Sequence, residues 1–171
     1  ESYFNPYAYC WGDNSTGQLG TGSSEKLGIR PKALKREYDA QGGKIKFWFD
    51  ELALGRNHSC ATVKVKKFGT VEEEKRIACW GSNEKFQLNE AVSKVLLSPN
   101  YPVTRINKLM FSIDDIFVGS DFSCAAGSQL LGGIENRVFC WGDNSSGQLG
   151  SDDPKATTSP DFVFPEPHEV D

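Results

Sequence analysis

Histidine is nearly missing from this sequence: there are two in 171 residues, and neither stands where catalysis would need it. His58 sits in Asn57-His58-Ser59-Cys60 beside an apolar segment, and His168 lies in a tail with Pro165, Glu166, Pro167 and Glu169. Neither has a nucleophile or carboxylate at motif spacing, so the sequence offers no triad-type site. The five cysteines show no Cys-x-x-Cys spacing, which argues against a zinc site. Asp13–Gly17 lacks the alternating carboxylates and closing Glu of a calcium loop, and Gly17–Gly20 lacks the following Lys and helix of a phosphate cradle. No cofactor and no enzymatic activity are expected. A basic excess is absent too, with a net charge of −4, so no nucleic-acid partner is expected. No run approaches the ~18–20 apolar residues of a membrane span, so no membrane insertion is expected. Glu1 is not the start of a signal peptide, although one could have been removed or lie upstream.

What the chain does have is repetition. Cys10–Gly20, CWGDNSTGQLG, returns at Cys140–Gly150 as CWGDNSSGQLG, and in weakened form at Cys79–Asn89 as CWGSNEKFQLN. Cys10 and Cys79 are 69 residues apart, Cys79 and Cys140 61. A unit recurring at this period buries its apolar face against copies of itself. Phe49–Ala61, FDELALGRNHSCA, lies over Ile113–Ala125, IDDIFVGSDFSCA, with Gly55 and Gly119 aligned. Each unit therefore reads as a Cys-Trp-Gly turn, a variable stretch, an apolar strand, a glycine, a second strand through Ser-Cys-Ala, and a hairpin to the next turn. Nothing in this order calls for a long helix. Seventeen glycines and eight prolines suit a turn-rich all-β chain.

Antiparallel partners across a hairpin have a constant sum of residue numbers. Opposing Cys60 to Cys79 centres a two-residue turn on Gly69-Thr70, and sets Lys66 against Glu73 and Lys67 against Glu72, each pair worth ~0.2–1 kcal/mol. Opposing Cys124 to Cys140 centres a three-residue loop, Leu131–Gly133, on Gly132. Directly opposed Cα atoms stand about 4.5–5.5 Å apart, within reach of a disulfide. Bridges Cys60–Cys79 and Cys124–Cys140 are expected. The alternative is buried free thiols packing as small apolar groups. One point counts against the first bridge: a two-residue loop makes Cys60 and Cys79 a hydrogen-bonded pair, whose side chains are less close, unless a bulge intervenes.

The turn residues have roles that need no chemistry. Gly12, Gly17 and Gly20 permit positive φ, Asn14 and Asn144 can bond their own backbone, and Trp11, Trp80 and Trp141 fill the space between units, each burying about 150–250 Å². Leu19, Leu88 and Leu149 point the same way. Asp114-Asp115 and Glu72-Glu73-Glu74 read as solvated strand faces.

These turns and the LGRNHSCA segment resemble the repeat of the regulator of chromosome condensation family, whose units run Gly-x-x-His-Ser/Thr, a glycine-containing hairpin, then Trp-Gly-x-Asn-x-x-Gly-Gln-Leu-Gly. The resemblance covers nearly the whole chain. The turns with Gly12, Gln18 and Leu19, and with Gly142, Gly147, Gln148, Leu149 and Gly150, match closely. The middle turn keeps Gly81 but has Phe86 for the first glycine and Asn89 for the last, while Phe122 replaces the His seen as His58. The resemblance implies an all-β propeller with four-stranded antiparallel blades, usually seven, closed by strands from both termini. This chain supplies about three units, approximately 10–78, 79–139 and an incomplete 140–171, so an incomplete propeller is expected. The Gly-Trp-Arg-His pattern of the family's ultraviolet sensors is absent.

Cys10 occupies the position of Cys79 and Cys140 without a Ser-Cys-Ala strand ahead of it, so it is expected to be unpaired. The expectation is that the chain is a piece of a longer protein that supplies the missing half-blade; the alternative is that the half-blade comes from another chain. Paired cysteines point to an extracytoplasmic location, secreted, cell-surface or periplasmic. Members of the family with a Cys-Trp-Gly turn resemble its extracellular branch. Asn14, Asn57 and Asn144 begin Asn-x-Ser/Thr acceptor patterns for N-glycosylation, although at Asn14 and Asn144 turn chemistry accounts for the same residues.

Three functions are compatible with this reading. The first is a protein-interaction module whose variable stretches, Thr21–Lys46 and Glu90–Ser112, choose an unknown protein partner from a rigid frame. Phe86 and Tyr101 are its contact candidates, with packing in the next blade as the alternative. The second is a structural segment of a multi-chain assembly, self-association included, completed by strand addition. The third is the founding family member's nucleotide exchange on the GTPase Ran, which needs a complete propeller and fits the cysteine pairing poorly.

Overall fold

The computed structural model describes residues 8–26, 28–34, 46–66, 73–88, 95–100, 110–129 and 135–150. Within them the chain is all β, in three antiparallel sheets. Strands β1 (Tyr9–Gly12) and β2 (Gly28–Ala33) form the first. The second is four-stranded, in chain order: β3 (Lys46–Leu54), β4 (His58–Lys66), β5 (Glu73–Ser82) and β6 (Val95–Asn100). The third contains β7 (Met110–Val118), β8 (Phe122–Gln129) and β9 (Glu135–Gly142). Consecutive strands pair with each other, the meander expected of a propeller blade.

The middle sheet is buried on both faces. Ala61, Val63, Val65, Ala78 and Trp80 pack with Leu34 toward the first sheet. Cys60, Ile77 and Cys79 pack with Ile113, Ile116, Ala125, Phe139 and Trp141 of the third. Double burial explains why Ile77-Ala78-Cys79-Trp80 shows no polar alternation: a strand covered on both sides has no solvent face to mark.

The β4–β5 register holds one constant sum from His58↔Gly81 to Lys66↔Glu73, and β8–β9 runs likewise from Phe122↔Gly142 to Gln129↔Glu135. Both hairpin tips, and the Lys67 and Glu72 pair, lie outside the described residues. Disulfides join Cys60 to Cys79 and Cys124 to Cys140, with Cα separations of 4.1 and 4.0 Å. The hydrogen-bond phase expected from a two-residue turn is corrected here. The Ser82 amide donates to the Asn57 carbonyl and the Asp143 amide to the Asp121 carbonyl, which makes 57/82 and 121/143 hydrogen-bonded pairs. Counting inward, both cysteine pairs fall at the narrow, non-hydrogen-bonded sites, where side chains approach most closely. No bulge is needed within β4–β5.

Bulges occur instead on the other side of β4 and β8. The register shifts between Phe49 and Glu51 and between Ile113 and Asp115, placing Asp50 and Asp114 at the same point of each unit. The Asp50 carboxylate pairs with Lys64 at 2.9 Å and Lys75 at 3.2 Å. The Lys64 hydrogen bond is the main cause that holds the Asp50 carboxyl below its usual range, against some desolvation. Lys75 also donates to the Asp114 carbonyl at 2.7 Å, so one ammonium ties the bulges of adjacent sheets together.

Candidate functional site

The repeated turn is where neighbouring units meet, and its three copies share one hydrogen-bond plan. The Asn side chain accepts from the amide five residues on: Leu19 to Asn14 Oδ1 at 3.0 Å, Leu88 to Asn83 Oδ1 at 2.9 Å, Leu149 to Asn144 Oδ1 at 2.9 Å. The Gln side chain accepts from the amide two residues back: Thr16 to Gln18 Oε1 at 2.9 Å, Lys85 to Gln87 at 2.8 Å, Ser146 to Gln148 at 2.8 Å. Short polar side chains thereby satisfy a loop that has no ladder partner.

Once shaped, the turn offers the Gln main-chain carbonyl to the following sheet. Gln18 O accepts from the Trp80 indole and the Ser59 hydroxyl, both at 2.9 Å. Gln87 O accepts from the Trp141 indole at 2.9 Å and the Ser123 hydroxyl at 3.0 Å. Trp80 and Trp141 are 0% and 3% exposed, and the Gln87 carbonyl clamp is buried. Trp11, expected to fill inter-unit space like the other two, is 59% exposed. Leu19, Leu88 and Leu149 are buried, as the turn plan requires.

The role of Ser59 and Ser123 was missed in the sequence, where Ser-Cys-Ala drew attention only to its cysteine. The recurrence of Ser, Trp and Gln together was the available signal, but the acceptor is a backbone atom and leaves no trace in residue identity.

The middle turn departs in two ways. Phe86 takes the place of Gly17 and Gly147 and adopts their conformation, with φ +60° against +75° for both glycines. A bulky residue there costs on the order of 1–2 kcal/mol. Its ring is half-buried. Ser82 takes the place of Asp13 and Asp143, whose carboxylates accept from Gln18 Nε2 at 3.0 Å and Gln148 Nε2 at 2.9 Å. Gln87 Nε2 accordingly has no partner among the described residues. The Ser15 hydroxyl, more than Gln18, holds the exposed Asp13 carboxyl below its usual range.

His58 and Ser123 form a contact that imitates a catalytic base and nucleophile, with Nε2 and Oγ 2.9 Å apart. Its chemistry is structural. Both side chains are fully buried, and the Ser123 proton goes to Gln87 O. Ser123 Oγ thus accepts from His58 Nε2–H, leaving a neutral ring whose buried Nδ1 has no partner among the described residues. Burial pushes the His58 pKa down to about 4, although Asp121 and the Phe122 carbonyl pull upward. The ring lies over Gly55, where a Cβ would stand 2.7 Å from His58 Cε1 and from the Gly119 carbonyl. Phe122 packs on Gly119 in the same way, which is why a glycine precedes each ring by three residues.

The remaining candidates separate by exposure. Asn14 and Asn144 are 0% and 6% exposed, while Asn57 is half-buried at the turn between β3 and β4. Cys10 is free and half-buried, and burial raises its thiol pKa. Tyr101 and His168 lie outside the described residues, as do parts of both variable stretches. Among the described residues no group of three or more His, Cys, Asp or Glu side chains is placed to hold a metal ion, and no helix is long and apolar enough to cross a membrane.

A repeat of small antiparallel sheets joined by such turns is the class of protein these features define. Residues 135–170 match the family model of the Regulator of chromosome condensation (RCC1) repeat. Among solved structures, the crystal structure of human WBSCR16 is similar at 13% sequence identity and a TM-score of 0.40, over 89% of this chain and 47% of that one. The chain spans about half the length of that structure.

Proposed function

We propose that this chain is a non-enzymatic protein-interaction module built from RCC1-type blades, within a larger secreted or cell-surface protein. One observation carries the reading: two successive clamps on Gln18 O and Gln87 O have the same kinds of donor at 2.9–3.0 Å, while the stretches between the turns differ in sequence. A frame that repeats and connections that do not are the arrangement of a scaffold presenting recognition loops. Three units, approximately 10–78, 79–139 and 140–171, would supply that scaffold. Paired cysteines support the extracytoplasmic placement. The partner would be a protein, and its choice would lie in Thr21–Lys46 and Glu90–Ser112.

A photo-crosslinking residue placed singly at exposed Ser24, within the first variable stretch, and at exposed Glu84, on a frame turn, tests this in the source organism's own extracellular fluid. The reading expects one recurrent adduct from position 24 and none from position 84. Equal labelling at both positions, or none at either, would refute it.

The exposure of Trp11 favours a second reading, a structural segment onto which another unit docks. Solution mass separates the two: a monomer supports the module, and a defined ring of copies supports the assembly.

A further inference from the structure

We infer that Asn57 is the one N-glycan acceptor among the three Asn-x-Ser/Thr patterns, and that Asn14 and Asn144 remain unmodified in the folded protein. The inference rests on the extracytoplasmic reading for its biological setting, and on geometry for its choice of site.

Asn14 is excluded by its hydrogen bonds. Its Nδ2 donates to the Ser23 carbonyl at 2.8 Å and the Glu25 carbonyl at 2.9 Å, which uses both amide hydrogens. N-glycosylation replaces one of them with a sugar. The fully buried side chain leaves no room for it, and the Ser23 or Glu25 carbonyl would lose its donor. Asn144 occupies the same point of the third turn, is 6% exposed, and holds the Leu149 amide through Oδ1. A chain modified at either position cannot close its turn.

Asn57 differs on each count. It lies at the tip between β3 and β4, beside exposed Arg56. The fold uses its main chain: the carbonyl accepts from the Ser82 amide at 2.8 Å and the Thr16 hydroxyl at 2.9 Å. No side-chain hydrogen bond holds its amide among the described residues. The equivalent tip of the next unit carries Asp121, whose carbonyl accepts from Asp143 N in the same way, so the frame makes no demand for an asparagine side chain here.

The chemistry is a glycosyl transfer from a lipid-linked oligosaccharyl diphosphate. The Asn57 Nδ2 attacks the anomeric carbon, the N–C bond forms, and the C–O bond to the diphosphate breaks. The lipid diphosphate departs with the electron pair, and the transferase takes one amide proton. The tip is accessible during synthesis, and the product is compatible with the folded turn.

The test expresses the full chain behind a secretion leader in a glycosylating eukaryotic cell, and treats the secreted protein with a peptide N-glycosidase that leaves Asp at each modified Asn. Peptide mapping is expected to find Asp at position 57 and Asn at 14 and 144. Asn57→Gln is expected to be secreted at the wild-type mass after deglycosylation, apart from the substitution, and to show no shift on treatment. Conversion at position 14 or 144, or at none of the three, would overturn the inference. Wild-type mapping gives this answer even if the variant fails to fold. The forced leader keeps site choice separate from natural location, which the thiol state of the protein in its own host reports independently.

Discussion

Replacing Trp80 with alanine should be among the most damaging single changes in this chain, and replacing Trp11 among the mildest, although the two belong to the same repeated turn. Trp80 is fully buried between the first and second sheets, and its indole donates to Gln18 O. Removing about 150–250 Å² from burial is worth roughly 4–6 kcal/mol at about 25 cal/mol per Å². Measured Trp truncations in cores run about 3–5 kcal/mol, and the lost hydrogen bond is part of that figure. Trp11 is 59% exposed, so its loss should cost under about 1 kcal/mol. Trp141, 3% exposed and bonded to Gln87 O, should behave like Trp80. Urea unfolding followed by far-ultraviolet circular dichroism, with the disulfides intact, reads all three without depending on tryptophan emission. A Trp11→Ala cost equal to that of Trp80→Ala, or a Trp80→Ala cost below about 1 kcal/mol, would refute the clamp.

Other perturbations probe the same frame. Copying the first turn into the second, Ser82→Asp with Glu84→Ser, gives Gln87 Nε2 the carboxylate it lacks and should raise stability by about 1 kcal/mol in the same assay; an unchanged midpoint would contradict it. His58 is neutral in the fold and its pKa lies at about 4, so the unfolded chain takes up the proton first as pH falls. Its contribution is complete above about pH 6.5, declines as pH drops toward 4 and is then lost, about 3 kcal/mol in all. His58→Phe, which borrows the residue found at Phe122, should remove that part of the pH dependence, and parallel stability curves for the two proteins would count against the assignment. Gly55→Ala puts a methyl 2.7 Å from the Gly119 carbonyl and should cost about 1–3 kcal/mol; wild-type stability would show that this contact is loose.

The cysteine register was legible because a hairpin obeys simple arithmetic and both units carry matched pairs. Hydrogen-bond phase was not, since loop length fixes it only when the turn type is known, and narrow pairing at Cys60 and Cys79 reverses the two-residue expectation. The bulges at Asp50 and Asp114 escaped notice for a related reason. They lie on the strand pair joined through Gly55 and Gly119, where no matched residues pin the register, though an Asp recurring inside an apolar strand was a visible hint. The clamp was half legible: Trp, Ser and Gln recur together, but the atom they share is a main-chain oxygen. Three equivalent tryptophans looked alike because exposure is a property of neighbours, and Trp11 differs from Trp80 only in what covers it. Phe86 stood out correctly as the wrong residue for its turn, and its left-handed backbone shows that the turn geometry overrides side-chain preference.

The pairing of cysteines tests the account most directly, since one measurement reads the strand register, the fold of two units and the compartment together. The protein is taken unreduced from its own host, denatured, alkylated, weighed intact, and its bridges mapped by digestion. The account predicts one alkylated residue, Cys10, with Cys60 joined to Cys79 and Cys124 to Cys140. Five alkylated cysteines, or a bridge that includes Cys10, would contradict it.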